Sequence, residues 1–240
     1  LVKDGKTYMA EDIRHFAEEL VMLKSRLLSM GRLVKDRVHI VMRALVERDM
    51  DRLRQIIRGD DEVNQLHLEI DDRCFKLLAL YQPMAVDLRT IVSAVKINSD
   101  LERVGDLAVN IAEASERYVI HAPVKPLIDL PRMGQIAESM LGQALEAFFN
   151  RSITAAEDVL SQDDLLDALK TQVFRELLTY MLGDPAKIEP SIELILISRH
   201  LERVGDHATN IAEDVIFIAD GRDVRHRPPD HFPIEDSFRD

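Results

Sequence analysis

Tryptophan is absent from the chain, cysteine occurs once, and aromatic residues make up 5% of it. The lone cysteine, Cys74, excludes an intrachain disulfide and fits a reducing compartment. Glycine and proline, nine of each in 240 residues, leave long stretches with neither, which suits helices better than sheets. A cationic excess is also missing. Against 31 Lys and Arg stand 43 Asp and Glu, a net charge of −12, which argues against nonspecific nucleic-acid binding because that needs a basic face to displace counterions. The surplus carboxylates favour solubility and are available to hold cations. No apolar run approaches the ~20 residues of a membrane-spanning helix. The charged start Leu1-Val-Lys-Asp-Gly-Lys does not read as a signal peptide, so the expected location is the cytoplasm. The familiar catalytic signatures are missing too: no Gly-rich phosphate loop, no His-Glu-x-x-His, no cysteine pair for zinc, no Gly-x-Ser-x-Gly. Nor is any Glu followed three positions on by His, as di-iron carboxylate bundles require. The chain is expected not to be an enzyme.

What is present is a repeat. Leu101-Glu-Arg-Val-Gly-Asp-Leu-Ala-Val-Asn-Ile-Ala-Glu113 returns as Leu201-Glu-Arg-Val-Gly-Asp-His-Ala-Thr-Asn-Ile-Ala-Glu213, with eleven of thirteen positions identical. Core and surface positions of a duplicated chain drift, because cores tolerate volume-conserving swaps and surfaces tolerate nearly anything. Here polar residues are retained in both copies: Glu102 and Glu202, Asp106 and Asp206, Asn110 and Asn210. So is a mid-helix glycine, Gly105 and Gly205. The duplication extends further. Gly59-Asp-Asp-Glu-Val-Asn-Gln-Leu66 parallels Gln162-Asp-Asp-Leu-Leu-Asp-Ala-Leu169, at an offset of 103 that falls to 100 at the main motif. The turn around Tyr81-Gln-Pro-Met is the natural place for that loss, since insertions and deletions concentrate in loops.

The expected fold is all-α: two tandem repeated three-helix bundles. In the first unit, residues 1–120, long helices are expected from Ala10 to Glu47 with Gly31 a weak point, from Asp60 to Leu80, and from Pro83 to Tyr118, with a short helix at Asp51–Arg58. Two prolines in His121-Ala-Pro-Val-Lys-Pro126 make this segment the linker. The second unit, residues 127–220, is expected to hold helices from Ile128 to Asn150, Asp163 to Leu182 and Glu189 to Ala219, with a short one at Thr154–Leu160. Residues 221–240, with three prolines, read as an irregular tail. Short connections imply antiparallel neighbours.

At 100° per residue, Asp106, Asn110 and Glu113 fall within about 80° of Glu102, while Ile97, Leu101, Val104, Ala108 and Ile111 lie on the opposite side. Each third helix thus carries an acidic stripe facing away from its apolar face. A solvated face is the ordinary explanation of such a stripe. Yet like charges at i,i+4 cost a few tenths of a kcal/mol, and glycine inside a helix costs ~1 kcal/mol relative to alanine. Keeping both features in both copies points to a ligand, with the glycine admitting another backbone or a bulky group beside the stripe. A stripe of oxygen donors suits a hard cation such as Mg, Mn, Ca or ferric iron; zinc usually recruits His or Cys. The candidate metal ligands are Glu102, Asp106 and Asn110 in the first unit and Glu202, Asp206 and Asn210 in the second. Asp60 and Asn64, and Asp163 and Asp167, join them from the second helix of each unit, although Asp60 and Asp163 could equally be helix N-caps. His207 has Leu107 as its counterpart and reads as local variation; Cys74 reads as core. Three functional classes remain open: a metal-bearing regulator, a metal-dependent phosphohydrolase or metal store, and a metal-free helical adaptor.

Paired Glu-x-x-x-Asp motifs in tandem three-helix units, each preceded by Asp-x-x-Val/Leu-Asn/Asp-x-Leu, resemble the PhoU family of bacterial phosphate-uptake regulators. Gln82-Pro-Met-Ala-Val-Asp-Leu-Arg89 resembles the segment that opens the third helix of that family's first unit. The similarity covers about residues 8 to 220. The resemblance implies a cytoplasmic negative regulator of phosphate uptake and of the phosphate-starvation response. Its implied partners are the ATPase of the phosphate ABC transporter and a phosphate-sensing histidine kinase, together with self-association as a homo-oligomer. It also implies metal ions (iron, manganese, magnesium or zinc) on the Glu-x-x-x-Asp motifs. The second unit lacks the Asp-Leu-Arg element, so the two sites are expected to differ in affinity or partner contacts.

Overall fold

The computed structural model describes residues 2–59 and 61–224, with side chains from residue 14 onward. Among the described residues there is no strand. The helices are α1 (Val2–Glu47), α2 (Met50–Arg58), α3 (Asp61–Tyr81), α4 (Ala85–Val119), α5 (Asp129–Asn150), α6 (Ile153–Leu160), α7 (Asp163–Gly183) and α8 (Ile188–Asp220), with a 3₁₀ turn at Pro185–Lys187 before α8. Helices α1, α3 and α4 form one repeat with the short α2, and α5, α7 and α8 form the other with the short α6. The offset changes where expected, across Gln82–Met84, between α3 and α4. Residues 221–224 follow α8 without helix; the rest of the tail lies outside the described residues.

The repeat reaches into the caps. α1 ends at Arg48 and α5 at Arg151, equivalent residues both in the left-handed region, with φ of 56° and 52°. Such a conformation is costly for a residue with a Cβ, and Arg48 has work to do there. Its guanidinium donates to Val119 O at 2.6 Å and to His121 O, and lies over the Tyr118 ring, tying the end of α1 to the end of α4. The next residues cap the short helices: Asp49 accepts from the Arg52 amide and Ser152 from the Ala155 amide, as N-cap preferences predict.

The two repeats do not stand apart. Their buried apolar residues form one cluster, and α4 and α8 pack along each other in antiparallel sense. Arg89 donates to Ile218 O, Lys96 pairs with Asp214 at 3.0 Å, Asp100 meets His207, and Arg117 pairs with Glu193 at 3.0 Å. α1 packs on α5, and here Gly31 is a notch rather than a weak point. α1 runs through it unbroken, because the absent side chain admits Leu145, whose Cδ1 an added Cβ would overlap. The connection between α4 and α5, which contains His121–Pro126, is pinned by a buried Val124 and by Lys125, which pairs with Asp129 at 2.9 Å and with Glu176.

Candidate metal centre

The apolar half of the stripe helix is as expected. Ile97, Leu101, Val104, Ala108 and Ile111 are fully buried, as are Ile197, Leu201, Val204, Ala208 and Ile211. Glu102 and Asn110 are half-buried and Asp106 is exposed; Glu202 is half-buried, with Asp206 and Asn210 exposed. The glycine within each motif marks a helix crossing. An added Cβ at Gly205 would stand 2.5 Å from Leu166 Cδ2, and one at Gly105 would stand 3.1 Å from Val63 Cγ1. Val63 and Leu166 are equivalent residues in the first turns of α3 and α7. The expectation of a backbone or bulky ligand beside the stripe is therefore corrected: the occupant is a core side chain of the neighbouring helix. Its consequence is functional all the same, because this close approach brings the start of α3 or α7 alongside the motif.

In the second repeat this crossing gathers the four predicted carboxylates. Although its side chain keeps solvent contact, partial burial pushes Asp206 up to about 6, and Glu202, Asp163 and Asp167 push it the same way, with His207 opposing. Asp163 is raised by burial and by Asp167, Asp164 and Glu202. Such mutual raising is the signature of like charges sharing a site. Asp163 is not an N-cap: it is the first residue of α7, the cap position belongs to Gln162, and no side chain caps the end. An acidic residue in the first turn is still favoured by the helix dipole.

Sequence reasoning missed the group that sits among these acids. Lys170 places its ammonium 2.7 Å from Glu202 Oε1 and 2.8 Å from Asp167 Oδ1. These two bonds raise the lysine well above its ordinary value. Spacing could have found it, since Lys170 lies three residues after Asp167 on the same helix. The repeat-equivalent residue is His67, whose ring faces elsewhere: Nε2 is 3.6 Å from Asp71, Nδ1 is 3.4 Å from Asn98 O, and the buried Asn98 amide ties this corner together by donating to Asp71 and to His67 O.

In the first repeat Asn64 is the neighbour of Val63 at the same crossing and so shares the start of α3 beside Glu102 and Asp106. Asp60 lies outside the described residues. Asn110 is one turn beyond Asp106 on α4. Its counterpart Asn210 is drawn away from the acids, donating to Asp100 of α4 at 3.2 Å. The same Asp100 is 2.8 Å from His207 Nδ1, so His207 is a contact between the repeats rather than incidental variation. Its role was invisible before α4 was known to lie against α8. Arg89, of the Asp-Leu-Arg element, donates through Nε and Nη2 to Ile218 O at 3.2 Å and caps the end of α8. Cys74 is buried as expected, and burial pushes its thiol up to about 12.

Chemically, each crossing offers oxygen donors to a cation. Among the described residues, however, no three His, Cys, Asp or Glu side chains are gathered closely enough to hold a metal ion. In the second repeat, an ammonium bridges two of the four carboxylates. In addition, no described helix is long and apolar enough to cross a membrane.

Comparison with known proteins places both repeats in one family. Residues 27–115 and 130–215 each match the PhoU domain. The chain is 37% identical over 218 residues to the phosphate-specific transport system accessory protein PhoU homolog of Caulobacter vibrioides, covering 90% of this chain and 95% of that one. It is similar to the crystal structure of PhoU from Pseudomonas aeruginosa, with a TM-score of 0.83, 36% identity, and coverage of 86% of this chain and 100% of that one. It is also similar to the phosphate transport system regulatory protein PhoU from Streptococcus pneumoniae, with a TM-score of 0.80 at 30% identity, covering 87% and 99%.

Proposed function

The chain belongs to the PhoU family, and from that premise we propose that it is an accessory regulator of phosphate uptake, acting through protein contacts and not by catalysis. The relationship carries this reading because it spans both repeats and nearly the full length of the relatives, whose names describe phosphate transport accessories. The partners are the ATPase of a phosphate ABC transporter and a phosphate-sensing histidine kinase. The regulated output is the phosphate-starvation response, repressed when phosphate is plentiful. The protein works in the cytoplasm and as a homo-oligomer.

The acidic face of the first repeat is the working surface in this reading. Glu102 and Asp106 of α4, with Asn64 from the first turn of α3 and, by its place in the chain, Asp60, would hold a hard cation such as magnesium, manganese or iron through oxygen donors. When bound, the ion supplies positive charge at a face otherwise dominated by carboxylates. The motif side chains do the rest. Glu102 and Asp106, one turn apart, present their oxygens from one helix, while Val63 seated over Gly105 fixes the distance to the other.

Co-precipitation tests the partner. Tagged chain should retain the transporter ATPase from solubilised membranes in the presence of manganese and lose it when Glu102 and Asp106 are both alanine. Equal retention by the folded double variant would place the partner surface on another face.

A further inference from the structure

We propose that Lys170 is the resident cation of the second repeat: its ammonium occupies the acidic crossing between α7 and α8, so that this crossing is held by an internal ion pair and takes up no divalent metal. Three observations carry it. The first is position. Lys170 Nζ is hydrogen-bonded to Asp167 and to Glu202, at 2.8 Å and 2.7 Å, and so joins the two helices that a metal on these acids would join. The second is chemistry. Charge-assisted bonds from one ammonium to two carboxylates are the strong kind, and a divalent ion entering here would have to displace both and then tolerate the lysine's positive charge a few ångströms away. The third is the repeat itself. The two units match residue for residue at Glu102 and Glu202, Asp106 and Asp206, and Gly105 and Gly205, yet this position is His67 in one and Lys170 in the other. His67 is directed to Asp71 and the Asn98 carbonyl.

The consequence is a division of labour within one chain. Ion-pair closure makes the second repeat indifferent to divalent metal and sensitive to monovalent salt, which weakens ion pairs at exposed and half-exposed sites. The inference concerns cation uptake alone and stands whether or not the protein regulates phosphate uptake.

Manganese binding tests it, read by titration calorimetry on chelator-treated, full-length protein and by manganese-dependent shift of the melting temperature. In a Glu102→Gln, Asp106→Asn background only the second repeat keeps both motif carboxylates, and this variant should take up no manganese at that crossing. Adding Lys170→Gln should create one manganese site, with a rise in melting temperature on adding the ion, and Glu202→Gln should abolish it. Lys170→Gln alone should likewise bind one more ion per chain than the wild-type protein, which keeps the test available if the background variant fails to fold. Manganese bound at Glu202 and Asp206 while Lys170 is present would overturn the proposal. So would a folded Lys170→Gln protein that binds no additional ion.

Discussion

Gly31 of α1 receives the side chain of Leu145 from α5. Gly134 of α5 receives Met42 of α1: an added Cβ there would stand 2.8 Å from Met42 Cγ. Gly31 and Gly134 are equivalent residues, as are Met42 and Leu145, each pair separated by the 103-residue offset. The two repeats therefore embrace through the same patch used twice, as subunits do in an isologous dimer. Gene duplication has placed a two-fold-like interface inside one chain, and its notches set how closely the first helices approach.

Filling a notch should loosen this embrace. Alanine at Gly31 gains ~1 kcal/mol of helix propensity but meets the branched end of Leu145, and overpacking of this kind costs ~1–3 kcal/mol. The expected net result is a loss of up to about 2 kcal/mol in urea unfolding. Gly142, also inside α5, is the control. Its added Cβ would meet only Lys35 Cδ at 3.8 Å, so Gly142→Ala should stabilise by up to ~1 kcal/mol.

Arg89 gives a second test of how the repeats join. Its fork donates twice to Ile218 O near the end of α8, where a cation also complements the helix dipole. Arg89→Met keeps most of the stem and removes both bonds. A destabilisation of about 1–2 kcal/mol is expected, with the acidic crossings unaffected. A change confined to partner binding, with stability unaltered, would contradict the capping role.

The acids of the second repeat carry a pH signature. Asp206 is pushed up to about 6 in the fold, above the ordinary value of 3.8, chiefly by the partial burial of a side chain that keeps solvent contact and then by Glu202, Asp163 and Asp167. A group raised on folding favours the folded state while protonated. Its contribution is therefore fully present below about pH 3.8 and lost as pH rises through about 6. Asp206→Asn should accordingly stabilise the metal-free protein above pH 7 and change it little at pH 4. The side chain is exposed, so solvent screening holds the gain to about 1 kcal/mol or less. Thermal melts of the two proteins at pH 4, 6 and 8 measure this directly.

Cys74 should behave as a reporter of opening. Its thiol is fully buried and pushed up to about 12, by burial and then by Asp71. A thiol-specific reagent at pH 8 should therefore react at the rate at which α3 detaches or the chain unfolds, and not at the rate of an exposed cysteine. Fast, complete labelling of native protein would place Cys74 outside the core.

Much of this was legible in the sequence because it is local. The expected ends at Glu47 and Asn150 and the break at the prolines of the 121–126 segment match the helices, and the side of α4 and α8 that is buried follows from helical period alone. The convergence of Asp163, Asp167, Glu202 and Asp206 followed from matching offsets. What could not be read was which helix lies against which. Gly31 looked like a weak point until Leu145 filled it, and Gly105 and Gly205 looked like a ligand's approach until Val63 and Leu166 were seen there. Asp100 and His207 are 107 residues apart and meet only because α4 and α8 run antiparallel. Lys170 was not singled out, since only the crossing at Gly205 brings Glu202 within its reach.

Repression in a living cell tests the central claim most directly. A bacterium deleted for its own PhoU homologue and carrying a phosphate-starvation reporter should be silenced in phosphate-rich medium when this chain is supplied. Glu102→Ala with Asp106→Ala, expressed at the same level and folded, should leave the reporter substantially on. A reporter that stays fully active with the folded wild-type chain, in a host whose transporter and kinase it binds, would contradict the account.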